Sequence, residues 1–186
     1  MIRRPRVIAF VDGENLLWRY QALLKNGLVP KSGVVHNADS FVWCESVLEA
    51  TAMDLVRITY YTSAVGGQNV IEALEARIAA QSYQESTSAL GFLQLVPRVF
   101  KREKRETATR VVDIAITMDV MRCALTSDVD ALLLFTGDGD FVQLVHEVTR
   151  NTSKQIYVFA FSSGLNPDLK TTPDGFRLLD HKFFEP

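Results

Sequence analysis

The stretch VIAFVDGEN, residues 7–15, decides the fold of this chain. Its first five residues are apolar and mostly β-branched or aromatic, which predicts a parallel strand buried on both faces. Asp12 follows this strand directly, and Asn15 lies one turn into the helix expected next. In open parallel sheets, ligands bind in the crevice at the carboxyl ends of the strands. The stretch therefore predicts polar side chains at a ligand-binding edge.

Outward from this stretch, predicted strands alternate with predicted helices. The other strands are expected at residues 55–61, 93–96, 131–135 and 156–161. The helices are expected at 16–25, from Asp39 or Ser40 to about Ala52, from after Gly67 to before Gly91, at 111–125 and at 141–148. This order predicts one α/β domain over residues 1–186, with a doubly wound, mostly parallel sheet and helices on both faces. The first and fourth strands are neighbours if the sheet winds outward both ways from the first.

Composition excludes several classes of protein. The hydrophobic content is 47%, the charged content 23% and the net charge −2, as in an ordinary globular protein rather than a polycation. Cys44 and Cys123 are both expected in helices as unpaired core residues. The apolar run after the basic N-terminus is too short for a signal peptide, and no run has transmembrane length. We therefore expect a cytoplasmic protein.

Three acidic segments, far apart in the chain, carry the predicted chemistry. They are VDGEN at 11–15, VVDI at 111–114 and TGDGDF at 136–141. Carboxylates gathered at one sheet edge repel each other unless a cation lies between them. Aspartates with no His or Cys ligand nearby suit Mg²⁺ or Mn²⁺, which favours metal-assisted chemistry on a phosphate ester.

Each acid also has a structural explanation. Asp12 is equally well read as a helix N-cap or as a metal ligand, and one of Asp138 and Asp140 is explained by a cap or tight turn. Asp113 lies on an apolar helix, where a charge is costly unless it is paired or metal-bound, so a site role is favoured. For Asp119 an ion pair with Arg122, three residues later, is favoured.

These segments, in this order, resemble the NYN domain of the PIN-like nuclease superfamily, specifically its LabA-like branch. The resemblance implies a three-layer α/β/α sandwich, Mg²⁺ or Mn²⁺ held by aspartates, and hydrolysis of RNA phosphodiesters. Asp12, Asp113 and Asp138 match the catalytic, metal-binding acids, whereas Asn15, Asp119 and Asp140 match supporting positions. The chain departs from the family pattern in having Arg110-Val111 where a lysine-glycine pair is usual, and Thr136 where serine is usual.

A basic segment precedes Asp113. It is either a solvated connection or a phosphate clamp that leads RNA into the acidic cleft. Its cationic residues are Lys101, Arg102, Lys104, Arg105 and Arg110. The expected function is that of a metal-dependent ribonuclease acting on single-stranded RNA. The alternative is an RNA-binding or regulatory module that turns over poorly, and the sequence leaves a homo-oligomer open.

Overall fold

The computed structural model describes residues 3–49, 53–83, 93–103 and 110–186, in which strands and helices alternate. Short 3₁₀-helices lie at Glu45–Leu48, Gly139–Phe141 and Pro167–Lys170. The remaining elements, in chain order, are β1 (Arg6–Asp12), α1 (Gly13–Lys25), β2 (Val34–Asn37), β3 (Phe41–Cys44), β4 (Asp54–Val65), α2 (Gln68–Ala79), β5 (Ser82–Tyr83), β6 (Leu93–Gln94), β7 (Val96–Arg102), α3 (Arg110–Thr126), β8 (Ala131–Phe135), α4 (Val142–Asn151), β9 (Gln155–Ala160), β10 (Gly175–Leu178) and α5 (Asp180–Phe183).

A six-stranded parallel sheet in the order β10-β9-β8-β1-β4-β7 forms the centre of the molecule. The chain runs outward from β1 through β4 to β7, and then returns to the other side of β1 and runs through β8 and β9 to β10. The prediction that the first and fourth strands are neighbours is confirmed, because β1 pairs with β8 from Val7↔Ala131 to Val11↔Phe135. The winding direction therefore reverses between β1 and β8, which is where open α/β sheets bind ligands.

Alternate residues of the central strands enter two separate cores. Val7, Ala9 and Val11 pack with α1 and α2 on one face, whereas Ile8 and Phe10 pack with α3 and α4 on the other. Because successive side chains of a strand point to opposite faces, a strand that is apolar throughout must be covered on both sides. The predicted three-layer α/β/α sandwich is confirmed.

The helix predicted from Asp39 or Ser40 to Ala52 is wrong. Phe41–Cys44 forms β3, which pairs antiparallel with β2 and is followed by a 3₁₀-helix. A short apolar run does not distinguish a buried strand from a buried helix by periodicity, and all four residues of β3 are buried. The Tyr60 hydroxyl donates to the Val42 carbonyl (3.2 Å), which holds the hairpin against β4. Cys44 therefore lies in a strand, while Cys44 and Cys123 are both unpaired, as predicted.

Two further predictions about this half of the chain need correction. The helix expected to run to before Gly91 ends at Ala79, and Ser82–Tyr83 forms β5, while residues 84–92 fall outside the described residues. Its core stripe contains Ile71, whereas Val70 is exposed. The strand expected at 93–96 is divided between β6, which pairs with β5, and β7. β7 is the edge strand of the central sheet, and it contains Pro97, as the missing backbone donor of proline requires.

The C-terminal segment is part of the central sheet. It adds β10 as a parallel edge strand beside β9, and Leu179 and Phe183 are fully buried behind it. Lys101 and Arg102, expected in a flexible connection, instead end β7. Among the helices that the structure describes, none combines the length and apolar character needed to cross a bilayer.

α3 is apolar on almost every side, and its sequence would suit a helix buried all round, but only one face is buried. Val112, Ile116, Val120 and Ala124 recur every four residues and form its buried face. The opposite face is exposed although it is apolar, because the sheet covers only one side of the helix; it carries Val111, Ile114, Met118 and Leu125.

This difference between the two faces of α3 is testable with a matched pair. Ile116 is fully buried, whereas Ile114 is 56% exposed. We expect Ile116→Ala to lower the free energy of unfolding by about 2–5 kcal/mol, because it leaves a cavity in the core. Ile114→Ala should change it by no more than about 0.5 kcal/mol. Urea unfolding of both variants measures this, and equal losses would contradict the assigned orientation of the helix.

Candidate active site

Three predicted site aspartates lie at the reversal point of the sheet. Asp12 ends β1, Asp138 follows β8 by three residues, and Asp113 lies in the first turn of α3. Since β1 and β8 are paired neighbours, their carboxyl ends deliver Asp12 and Asp138 to the same edge. The chain thus brings together acids that are more than 100 residues apart in sequence.

Asp12 is a buried carboxylate with two hydrogen-bond donors. Its side chain is only 3% exposed. Oδ1 accepts from the backbone N–H of Asn15 (3.1 Å) and caps α1, while Oδ2 accepts from the hydroxyl of Thr136 (2.9 Å). The prediction that Asp12 is a helix N-cap is therefore confirmed. Because a capping carboxylate still lies at the crevice, capping and ligand binding are compatible roles for this residue.

The loop after β8 is tied to the end of β1 by a small hydrogen-bond network. Asn15 Oδ1 accepts from the Gly137 N–H (3.0 Å), and Thr136 Oγ1 accepts from the Asp138 N–H (3.2 Å). Asp138 Oδ1 in turn accepts from the Asp140 N–H (3.1 Å) and caps the 3₁₀-helix there. Asn15 and Thr136 therefore fix the loop that carries Asp138 and Asp140 relative to Asp12.

The negative charges of the acids raise the pKa values of neighbouring carboxyl groups. The pKa of Asp12 is raised to about 7, mainly by burial and also by the negative charges of Asp113 and Glu14, while the hydrogen bonds from Asn15 and Thr136 oppose the shift. Desolvation also raises the pKa of Asp113, followed by repulsion from Asp138, Glu14 and Asp140, while Arg110 opposes the shift. This mutual repulsion indicates that the carboxylates lie near one another.

Asp113 and Asp140 also line one small cavity of about 370 Å³ beside the exposed face of α3. Arg110, Ile114, Thr117 and Met118 complete its lining. The cavity places both carboxylates on a surface that solvent and a ligand can reach.

The sequence did not single out Glu14, which the structure places in the same cluster. Its carboxylate accepts a hydrogen bond from the Ser63 hydroxyl and lies 3.8 Å from the Arg102 guanidinium. The close approach of α1 to β4 depends on Gly13, since an added Cβ there would lie 2.6 Å from the Tyr61 carbonyl oxygen. The only sequence signal for Glu14 was its place within the segment VDGEN, because Ser63 and Arg102 are distant in the chain.

The donor chemistry of the crevice suits a hard cation. All of its acidic side chains offer carboxylate oxygens, the ligands that Mg²⁺ and Mn²⁺ prefer. Within the described residues, no three His, Cys, Asp or Glu side chains form a ready-made ligand group for one ion. Mg²⁺ keeps several of its waters and needs only one or two carboxylates, so the residues fit an ion of this class.

Asp119 belongs to a separate network. It accepts hydrogen bonds from the Tyr61 hydroxyl (2.8 Å), Arg98 and Arg122 (3.1 Å). The ion pair predicted with Arg122 is confirmed. By helix rise, Asp119 lies about 9 Å along α3 from Asp113, so any supporting role of Asp119 in the site stays a prediction.

The cationic residues of the basic segment divide into three groups. Arg110 begins α3 and lowers the pKa of Asp113, and Arg102 faces Glu14. Lys101 is exposed near the end of β7. Lys104 and Arg105 fall outside the described residues. Two of the five predicted cations thus contact or adjoin the acidic crevice.

The raised pKa of Asp12 predicts a pH-dependent stability. Between its ordinary pKa of 3.8 and about 7, the folded state retains a proton that the unfolded chain has released, so stability falls as pH rises through this window. In EDTA, the free energy of unfolding of the wild type should fall between pH 4 and pH 7.5. This fall should exceed the corresponding fall in Asp12→Asn by at most about 4 kcal/mol. Urea titrations at several pH values measure the difference. Parallel pH profiles would contradict a buried, protonated Asp12.

Comparisons with known proteins agree with this fold. The model of the NYN domain family matches residues 6–180. A crystal structure of a protein of unknown function from Vibrio parahaemolyticus superposes over 100% of both chains with a TM-score of 0.64 and 17% identity, which shows a shared fold. No curated protein matches the chain in sequence. NYN domains belong to the PIN-like nuclease superfamily and are generally ribonucleases, while the LabA-like branch stays a prediction. The chain is a member of the NYN domain family.

Proposed function

We propose that this NYN domain is a metal-dependent ribonuclease that hydrolyses phosphodiester bonds of single-stranded RNA in the acidic crevice. One observation carries the proposal: a buried carboxylate, Asp12, with its pKa raised to about 7, faces Asp113 and Glu14 at the reversal point of a parallel sheet. A group so costly to bury in its charged form indicates a functional site rather than a stabilising contact.

Asp12, Asp113 and Asp138 are the residues that would hold Mg²⁺ or Mn²⁺. When bound, the ion supplies charge neutralisation at phosphorus and makes water easier to deprotonate. The chain's own contribution is positioning. Asn15 and Thr136 hold Asp12 and the Asp138 loop in one arrangement, and Asp140 adds a carboxylate to the cavity rim beside Asp113. Preorganised charge of this kind needs little rearrangement during the reaction.

Cations beside the crevice support binding of a polyanion. Arg110 adjoins Asp113, Arg102 adjoins Glu14, and Lys101 is exposed on the same strand as Arg102. They offset the repulsion between RNA phosphates and the carboxylates, since phosphate contacts dominate the affinity of proteins for nucleic acids. Lys104 and Arg105 belong to the same proposal on sequence grounds alone.

The proposal predicts loss of cleavage in two isosteric variants. Purified wild type should cut single-stranded RNA in Mn²⁺ or Mg²⁺, and Asp12→Asn and Asp138→Asn should each lower the rate by about 100-fold or more, because each removes a carboxylate charge at the ion. Asp128→Asn is the matched control, since Asp128 is exposed and lies before β8, at the opposite end of that strand. Gel-resolved time courses measure the rates. RNA that is bound but never cut would favour the alternative of a binding or regulatory module.

The ion itself should stabilise the fold. At 100 times its dissociation constant, Mn²⁺ should add about 2.7 kcal/mol to the free energy of unfolding of the wild type at pH 7.5. Asp113→Asn should reduce this gain, because it removes one of the proposed ligands, whereas Asp128→Asn should retain it. Thermal unfolding with and without Mn²⁺ measures the effect, and an equal shift of Tm in wild type and Asp113→Asn would place the ion elsewhere.

A further inference from the structure

A second cavity, of about 670 Å³, opens beside the acidic crevice on the α2 side of the sheet. It lies between the end of β4, the first turns of α2 and the turn that joins β2 to β3. We call it the Arg102 cavity and define it by six of its lining residues, which are Ser40, Ser63, Val65, Val70, Arg77 and Arg102. Its volume is in the range typical of small-molecule sites, about 300–1,000 Å³.

Two buried polar atoms in the lining of this cavity have no partner. The Ser40 hydroxyl and the Arg102 Nε are both inaccessible and make no hydrogen bond to any described residue. Leaving a buried donor unpaired costs about 1–3 kcal/mol, and more for a charged group, so such atoms are rare in folded proteins. Because both atoms are enclosed, a ligand in the cavity would satisfy them only when the Ser40 or Arg102 side chain turns toward it.

The cavity combines an apolar wall with a cationic end. Val65 and Val70 expose their side chains on one side, above the buried Ala64 and Leu74. Arg77 and Arg102 supply two positive charges and Asp39, in the β2–β3 turn, supplies one negative charge, so the lining carries a net positive charge. A nucleotide has the matching character, because its base offers an apolar face and its phosphate accepts hydrogen bonds from guanidinium groups in a fork geometry.

The cationic end adjoins the acidic crevice. The Arg102 guanidinium lies 3.8 Å from Glu14, whose charge raises the pKa of Asp12 and Asp113, and Ser63 donates to the same carboxylate. A phosphate at Arg102 would therefore stand next to the crevice. This position favours the phosphate of a neighbouring nucleotide in a bound RNA over an isolated anion.

We infer that the Arg102 cavity binds one unpaired nucleotide of the RNA strand, adjacent to the phosphodiester in the acidic crevice. Its phosphate contacts Arg102 and Arg77, and its base lies against Val65 and Val70. The inference rests on the proposed ribonuclease function and deepens it, because a base held in a cavity must be unpaired, which restricts the substrate to single strands.

The test measures binding separately from cleavage. The full chain, in EDTA, is titrated into a 5′-fluorescein 12-nucleotide single-stranded RNA of mixed sequence, and fluorescence anisotropy gives Kd. Ala73→Trp fills the cavity from the exposed face of α2, and Ala76→Trp is its control on the same helix, where Ala76 is exposed and outside the lining. Arg77→Glu reverses a cavity charge. Arg150→Glu, in the last turn of α4 as Arg77 is of α2, is the second control.

Ala73→Trp and Arg77→Glu should each raise Kd by about 10-fold or more, as expected for loss of a stacked base or a phosphate contact. Both controls should stay within about 2-fold of the wild type. The inference is overturned if Ala73→Trp binds RNA as tightly as Ala76→Trp, or if the wild type does not bind RNA in EDTA.

A final arm separates RNA from a free nucleotide and from a failure of the nuclease proposal. If adenosine 5′-monophosphate binds the wild type and loses affinity in Ala73→Trp while RNA binding is unchanged, the cavity serves free nucleotides and the RNA inference is wrong. Equal RNA binding by both tryptophan variants, with cleavage in Mn²⁺ intact, overturns the cavity alone. Absence of cleavage in the wild type, with selective loss of binding in Ala73→Trp, overturns the nuclease proposal and retains the cavity.

Discussion

The burial of the Asp12 carboxylate is the constraint on which the site depends. A carboxylate removed from water is costly unless it is protonated, hydrogen-bonded or paired with a cation. Here the Asn15 N–H and the Thr136 hydroxyl each donate to one of its oxygens, and burial still raises its pKa to about 7. The two donors come from different strand ends, so satisfying Asp12 also holds α1 and the loop after β8 together.

The rest of the crevice follows from where the strands end. β1 and β8 are parallel neighbours at the point where the winding reverses. α3 begins close enough to them that the charges of Asp138, Glu14 and Asp140 raise the pKa of Asp113. Such a concentration of like charge disfavours the folded state. Arg110 and Arg102 offset part of it from the rim, and a hard cation would offset more. The unfavourable electrostatics of the metal-free protein are the physical basis of the proposed affinity for an ion.

Local sequence patterns predicted the positions of the central strands better than they predicted which faces of the helices are buried. Residues 7–11 and 131–135 are apolar throughout, and a strand covered on both faces accommodates such runs. The segment around Phe41–Cys44 is equally apolar but became a strand instead of a helix, because the hairpin packs it on β4 through Tyr60. α3 is apolar on almost every side, yet the sheet covers only one of its faces, so Ile114 and Met118 remain exposed.

The sequence by itself determined the layered α/β architecture and the identity of the acids that follow strands or begin helices, because hydrophobic periodicity and the positions of Asp12, Asp113 and Asp138 are local properties of the chain. Tertiary structure alone decided what surrounds them. Glu14 joined the cluster through Ser63 and Arg102, and Asp119 was drawn into a separate network by Tyr61 and Arg98. These partners are 21 to 88 residues away from the acid they contact. Only the register and packing of the sheet bring them into contact, and no local pattern encodes that distance.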